Sequence, residues 1–356
     1  MVPVSGDFLT FMRSNPRWSW AWFAHNRASY GKAMEELISA SGVVAGDLKP
    51  DNIDLVWDEE AKKFSLGLID LDDGGRGSFL GDLFHTLVYN EIWHTPIPFG
   101  EAVEFYLKGL RNQSHPIDFS RIHPIDHERR LRKHAQSLQR MASDESYFFK
   151  ELKLVPVDAL KGENRKIYEM SWPQIRDFAS RFGSVIRHGV RVKDSGGSAY
   201  IPRFTLLLRG DSDFRLIEFK FLPDPAVAVY EPSQPPHRER IDELVLHYGL
   251  GGPIRSTVGV LQTRAGDFLV RYRRVDYLDG GEPPRDHEEK KVHKEYARFM
   301  FYWLGSAHAK QSPEYVRLWL RNPENSIEAL KQMTQDHLKD SRIQWAKLPS
   351  VQKTKD

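Results

Sequence analysis

Apolar and polar positions alternate from Asn52 to Trp57, and a second strand-like run covers Phe64 to Leu71 after the polar stretch Asp58-Glu59-Glu60-Ala61-Lys62. This predicts two strands joined as a hairpin. Upstream, Ala33-Met34-Glu35-Glu36-Leu37-Ile38 has helical spacing, with Gly42 as its stop. From Phe79 to about Leu152 the spacing is again helical, broken at Pro96, Pro98 and Pro116, and a further helix is expected near 172–185. The character then turns to β. Arg203 to Leu208 leads through Gly210-Asp211-Ser212-Asp213 into Phe214 to Phe221, a helix follows near 236–248, and a second hairpin joins 256–263 to 267–275. Residues 287–338 are helical. The pattern predicts an α+β chain in the order mostly helical with one hairpin, then β-rich with one helix, then helical. The expected divisions are 1–150, 151–285, 286–348 and a frayed tail at 349–356.

Composition narrows the picture only modestly. Among 356 residues, 40% are hydrophobic, 12% aromatic and 28% charged, a globular balance that argues against a disordered or fibrous chain. Lys+Arg 51 against Asp+Glu 49 leaves +2, so no strong field favours nucleic acid or an anionic membrane, and neither is expected as a partner. The absence of cysteine excludes disulfides, thiolate metal sites and cysteine nucleophiles. No run approaches the roughly 18 apolar residues of a membrane span. No secretory apolar run is seen at the N-terminus, where Asp7 and Arg13 intervene, and a cytoplasmic location is the expectation.

The sharpest chemistry lies in Gly46-Asp47-Leu48-Lys49-Pro50-Asp51-Asn52, followed by Leu68-Ile69-Asp70-Leu71-Asp72-Asp73. Asp47 precedes the first strand of the hairpin, Asn52 opens it and Asp70 closes its partner. The hairpin would set Asn52 and Asp70 side by side as oxygen ligands for a hard cation such as Mg²⁺, with Asp72 as a further ligand. Asp47 would stay available to orient a hydroxyl or take its proton. Lys49 could meet a transferring phosphoryl group. This resembles the protein-kinase catalytic loop and its metal-binding aspartate. The step from Asp47 to Asn52 fits, whereas Val44-Ala45-Gly46 stands where such loops carry His or Tyr. Asp70-Leu71-Asp72 is closer to the form found in small-molecule and antibiotic kinases.

A kinase also needs a β-rich lobe with a phosphate-binding lysine, and only 46 residues precede Asp47. The matching features lie downstream. Ser195-Gly196-Gly197-Ser198 reads as a phosphate-covering loop, contributing Gly196, Gly197 and Ser198. Alternation in Leu216-Ile217-Glu218-Phe219-Lys220-Phe221 puts Lys220 opposite Ile217, Phe219 and Phe221. Glu239 and Glu243 on the next helix could pair with Lys220.

This order resembles a bacterial family, domain of unknown function 2252, over nearly the whole chain. The resemblance runs through Phe11-Met12-Arg13, Gly46-Asp47 to Asn52, Ile69 to Asp73, Gly81-Asp82-Leu83, Gly197 to Arg203, Lys220-Phe221-Leu222, Arg240 to Glu243 and Ala307-His308-Ala309-Lys310. Lys49 stands where the family has a loop histidine, and Ser195 and Tyr200 replace two of its glycines. The resemblance implies a two-lobed, circularly permuted protein-kinase-like fold. With the site residues above, it yields the expectation of an ATP- and Mg²⁺-dependent phosphotransferase acting on an unidentified small-molecule or protein hydroxyl. The alternative is a pseudokinase that binds nucleotide or a partner without catalysis.

Remaining residues have plainer expectations. Asp82 would brace the catalytic loop by accepting backbone hydrogen bonds, and His308 would be a hydrogen-bonded support on an apolar helix. Trp18, Trp20 and Trp22 would be core or helix-packing surface. His85, His94, His115, His123 and His127 do not have convincing zinc spacing, and the basic run 128–135 reads as a solvated helix face.

Overall fold

The computed structural model describes residues 8, 12, 15–49, 52–58, 63–68, 73–112, 124–191, 201–211, 213–248, 257–273 and 287–347. The fold is α+β with antiparallel sheets. Helix α1, Pro16–Asn26, is the first element with both ends described, and its proline occupies the first turn, where no amide hydrogen is needed. Helix α2, Lys32–Ser39, is followed by strand β1, Ser41–Val44. Gly42 therefore does not stop the helix: the backbone turns extended at Ala40, and Gly42 pairs with Gly77 of strand β4, Gly75–Ser78. Between β1 and β4 lies the expected hairpin, β2, Ile53–Asp58, with β3, Lys63–Leu68, in the register Ile53 to Leu68.

Helix α3, Phe79–Ile92, is the centre of the helical core. Ser78 caps it by accepting from Gly81 N, and every residue but Glu91 is buried. A helix buried on all sides must be surrounded, and the surrounding elements come from both ends of the chain. Helix α4, Phe99–Leu110, packs against the long helix His287–Gln311. Their contact is backbone to backbone. A Cβ at Gly109 would overlap the Tyr302 carbonyl, and one at Gly305 would overlap the Tyr106 carbonyl.

The N-terminal aromatic segment grips the C-terminal helix. Trp18 and Trp22, four residues apart on α1, donate to Ser341 and Asp340 at 2.9 Å each. Ser19 meets His337 Nε2 at 3.1 Å. Those partners lie on the last helix, Pro323–Lys347, which follows Pro313–Arg321. Segments from the two ends thus share one apolar core.

The second body is a five-stranded sheet. In chain order its strands are β5, Ser184–Arg191; β6, Arg203–Arg209; β7, Phe214–Phe221; β8, Thr257–Thr263; and β9, Gly266–Arg273. They lie side by side in the order β5-β6-β7-β9-β8. The helix His237–Tyr248 intervenes between β7 and β8. It reaches the helical core through Ile241, Leu244 and Tyr248. One sheet face, with Phe204, Leu206, Ile217, Phe219 and Val270, packs on the helix Gly162–Ser180.

That helix corrects the expectation of 172–185. Pro173 sits inside it rather than near its start, and the chain is already in β5 at Ser184. The helices Pro124–Ser143 and Glu145–Glu151, read from sequence as part of the first helical segment, contribute Leu138, Met141 and Phe148 to a cluster with Leu207 and Leu216 of the sheet. The expected frayed tail, 349–356, lies outside the described residues. Among the described residues no helix is long and apolar enough to cross a membrane.

Candidate functional site

The loop between β1 and β2 is held before its side chains are considered. Gly46 has φ +74, and a Cβ there would overlap the Asp73 carbonyl, so glycine satisfies both the backbone angle and the close approach. Ala45 N and Gly46 N donate to the two oxygens of Asp82, at 2.9 and 3.0 Å, and Trp20 Nε1 donates to Gly46 O at 2.7 Å. Asp82 is fully buried. It also accepts from Tyr248 OH at 3.1 Å and His308 Nε2 at 3.3 Å, and His308 Nδ1 meets Tyr106 OH at 2.8 Å. Burial pushes the His308 imidazole below its ordinary range, with Asp82 opposing that shift. The expected bracing role of Asp82 is thus present as direct hydrogen bonds, and His308 supports it from behind.

On this frame Asp47, Lys49 and Asn52 converge. Lys49 Nζ donates to Asp47 Oδ2 at 2.7 Å and lies 5.2 Å from the centre of the Tyr89 ring. Asn52 Nδ2 donates to the Asp47 carbonyl at 2.7 Å and to Asp47 Oδ2 at 3.1 Å. Both partners can only accept, so the amide nitrogen must face them and the amide oxygen faces away. Among the described residues that oxygen accepts no hydrogen bond, which suits a cation ligand.

Asp47 is only 4% exposed. Burial pushes its carboxyl up, but the Lys49 ammonium and the hydrogen bonds from His85 and Lys49 outweigh that and hold it below its ordinary value. Asp47 is therefore a buried carboxylate kept ionised by its neighbours. Asp70 and Asp72 lie outside the described residues, and among the described residues no group of three or more His, Asp or Glu converges as a metal site.

Sequence reasoning did not place His85 at this site. Its Nε2 lies 3.3 Å from Asp47 Oδ1. A signal was available in the spacing: Asp82, His85 and Tyr89 stand three and four residues apart, one stripe of α3, and all three meet the same loop.

The other expected group lies on the sheet. The register pairs Lys220 with Arg203 on one side and Leu269 on the other, so these share a face opposite Ile217 and Phe219. Leu269 belongs to the helical core, which places the Lys220 face toward that core. Lys220 is 1% exposed. On the same face Glu218 accepts from Arg271 at 2.6 and 2.9 Å, with Arg203 at 3.9 Å.

Glu243 does not form the expected ion pair with Lys220. Arg76, on β4, takes it at 2.5 and 3.3 Å and also approaches Glu239 at 3.5 Å. Register explains the exchange: β4 runs beside the helix His237–Tyr248, and Arg240 of that helix donates to Gly74 O at 2.6 Å, just before Arg76. Gly196, Gly197 and Ser198 lie outside the described residues. The structure thus brings Asp47, Lys49 and Asn52 together, adds His85, and sets Lys220 on the core-directed sheet face. No protein-family model matches this chain, and neither a curated protein nor a solved structure matches it significantly.

Proposed function

We propose that the protein is an ATP- and Mg²⁺-dependent phosphotransferase with a permuted kinase-like architecture. The observation that carries the reading is the Asp47–Lys49–Asn52 cluster: an ionised buried carboxylate, a cation two residues on, and, five residues on, an amide whose oxygen faces away from that carboxylate. Further support comes from the sheet. Its third strand in chain order bears Lys220 and is followed by a helix, the placement that kinases give their phosphate-binding lysine.

In this reading Asp47 orients the acceptor hydroxyl and receives its proton as the acceptor oxygen bonds to the γ-phosphorus. The bond from that phosphorus to the β-bridging oxygen breaks, and ADP leaves. Lys49 faces the charge on the moving phosphoryl group. Lys220 holds the phosphates of the nucleotide, with Gly196, Gly197 and Ser198 covering them. Glu243, held by Arg76, fixes the adjoining helix to β4. Asn52, with Asp70 and Asp72, would hold Mg²⁺, which supplies charge neutralisation on the phosphates. Positioning and electrostatics dominate, since phosphoryl transfer needs little covalent help.

Calorimetric titration with ATP in the presence of Mg²⁺ tests the nucleotide half. The full chain should bind, and Lys220→Met should weaken binding by about tenfold or more, the loss of one charge-assisted contact of roughly 1.5–3 kcal/mol. Equal affinity in the variant would remove Lys220 from the phosphate site. Binding without any turnover would favour the non-catalytic alternative.

A further inference from the structure

The Asp47 carboxylate has about four acceptor positions on its two oxygens. Lys49 Nζ and Asn52 Nδ2 occupy Oδ2, and His85 Nε2 occupies one position on Oδ1. One position on Oδ1 remains. We propose that His85 is a positioning residue for the proposed phosphoryl transfer, holding Oδ1 so that its remaining lone pair faces the incoming hydroxyl. The inference rests on the reading of Asp47 as the group that orients the acceptor.

The imidazole is itself fixed by packing. Its ring lies 6.3 Å from the Trp20 ring and nearly parallel at 21°, and 4.7 Å from the Tyr89 ring. Trp20 is tied to Gly46 O, and Tyr89 OH donates to Met12 O at 3.0 Å. His85 is fully buried, and its Nδ1 has no hydrogen-bond partner among the described residues. The polar anchor of the ring is therefore Asp47.

A carboxylate only accepts, so Nε2 carries a hydrogen. That nitrogen cannot take the proton that Asp47 receives from the acceptor, and the other ring nitrogen lies on the far side of the ring. Positioning, not proton relay, is what the geometry allows. Asp82 and His85 then divide the work of one helix: Asp82 fixes the loop backbone and His85 fixes the carboxylate it presents.

The test uses the full chain with ATP, Mg²⁺ and water as acceptor, and the variants His85→Leu and His85→Gln. His85→Leu should lower kcat by about tenfold or more while leaving the KM for ATP within about twofold, because misplacement of a reacting group costs rate rather than binding. His85→Gln offers an amide N–H to Oδ1. It should recover kcat to within about threefold with the pH profile of the parent. An unchanged kcat in His85→Leu overturns the proposal, as does His85→Gln being as slow as His85→Leu, the mark of a relay.

A second measurement does not need turnover. In a ¹⁵N-histidine spectrum the parent should show a solvent-protected Nε2–H signal that disappears in Asp47→Ala. Its absence from an active parent overturns this inference alone. Its presence in a parent that never turns over ATP overturns the phosphotransfer reading and this inference with it.

Discussion

Asp82→Asn should destabilise the protein by more than removal of the Tyr248 hydroxyl that donates to it. The aspartate spreads four donors over two oxygens: Gly46 N on Oδ1, and Ala45 N, Tyr248 OH and His308 Nε2 on Oδ2. An amide keeps one acceptor and gains a donor. With its oxygen at the Oδ2 position, three bonds survive and an N–H faces the Gly46 N–H. With the amide reversed, three donors are stranded instead. Even the better arrangement loses a hydrogen bond to a charged acceptor, about 1.5–3 kcal/mol, and leaves a buried donor unsatisfied, about 1–3 kcal/mol. The expected loss is about 3 kcal/mol. At roughly 2 °C per kcal/mol for a long chain, that lowers Tm by about 6 °C. Tyr248→Phe removes one donor whose single hydrogen is shared between Asp82 and Val43 O and strands no buried donor, so it should cost only about 1.5 kcal/mol. Differential scanning calorimetry of both variants decides the matter. If Asp82→Asn melts no lower than Tyr248→Phe, Asp82 is not the hub of the loop.

Two further perturbations probe the same architecture. Gly46→Ala combines a left-handed backbone cost of about 1–2 kcal/mol with overlap on a backbone carbonyl that cannot swing aside. Gly162→Ala also has a positive φ, +56, with nothing within 4 Å, and should cost only the conformational part. Equal Tm losses in the two would refute the close approach of the loop to Asp73. Acid should unfold the protein through His337, whose imidazole burial pushes down to about 3. Its unfolded value is near 6.5, so the unfolded chain binds the proton first. Stability is complete above about pH 6.5 and falls by about 1.4 kcal/mol per pH unit toward pH 3. His337→Gln should flatten that part of a Tm-against-pH curve, and an unaltered slope would contradict the assignment. Asp47, held low, loses stability on acidification in the same direction, in the carboxylate range.

Much of the fold was legible where local pattern and tertiary packing agree. Strands β7 and β9 alternate in sequence, and the observed register follows that alternation, while the polar turn between two strand-like runs marked the hairpin β2–β3. Asp82 was legible because a lone acid opening an apolar helix needs donors, and the loop supplies them. The pairing of β1 with β4 was not legible. Both strands are short and glycine-bearing, and their partnership depends on α3 and the helix His237–Tyr248 packing around them. The early part of the helix Gly162–Ser180 escaped notice because its first turns are polar and Pro173 looks like a boundary. At the site, the short-range Asp47–Lys49–Asn52 geometry was readable from spacing. His85 depends on a helix face that only the fold brings to the loop, and Arg76 takes Glu243 because two distant segments meet there.

The central claim is that Asp47 directs phosphoryl transfer from bound ATP. ³¹P NMR of the full chain with ATP and Mg²⁺, with water and then cell extract as acceptor source, reads that transfer directly. The parent should convert ATP to ADP with the γ-phosphate appearing as inorganic phosphate or as a phosphorylated acceptor. Asp47→Asn should bind ATP with unchanged affinity yet turn over slower by about two orders of magnitude or more. Undiminished turnover in Asp47→Asn, or no conversion by the parent under either condition, would contradict the account.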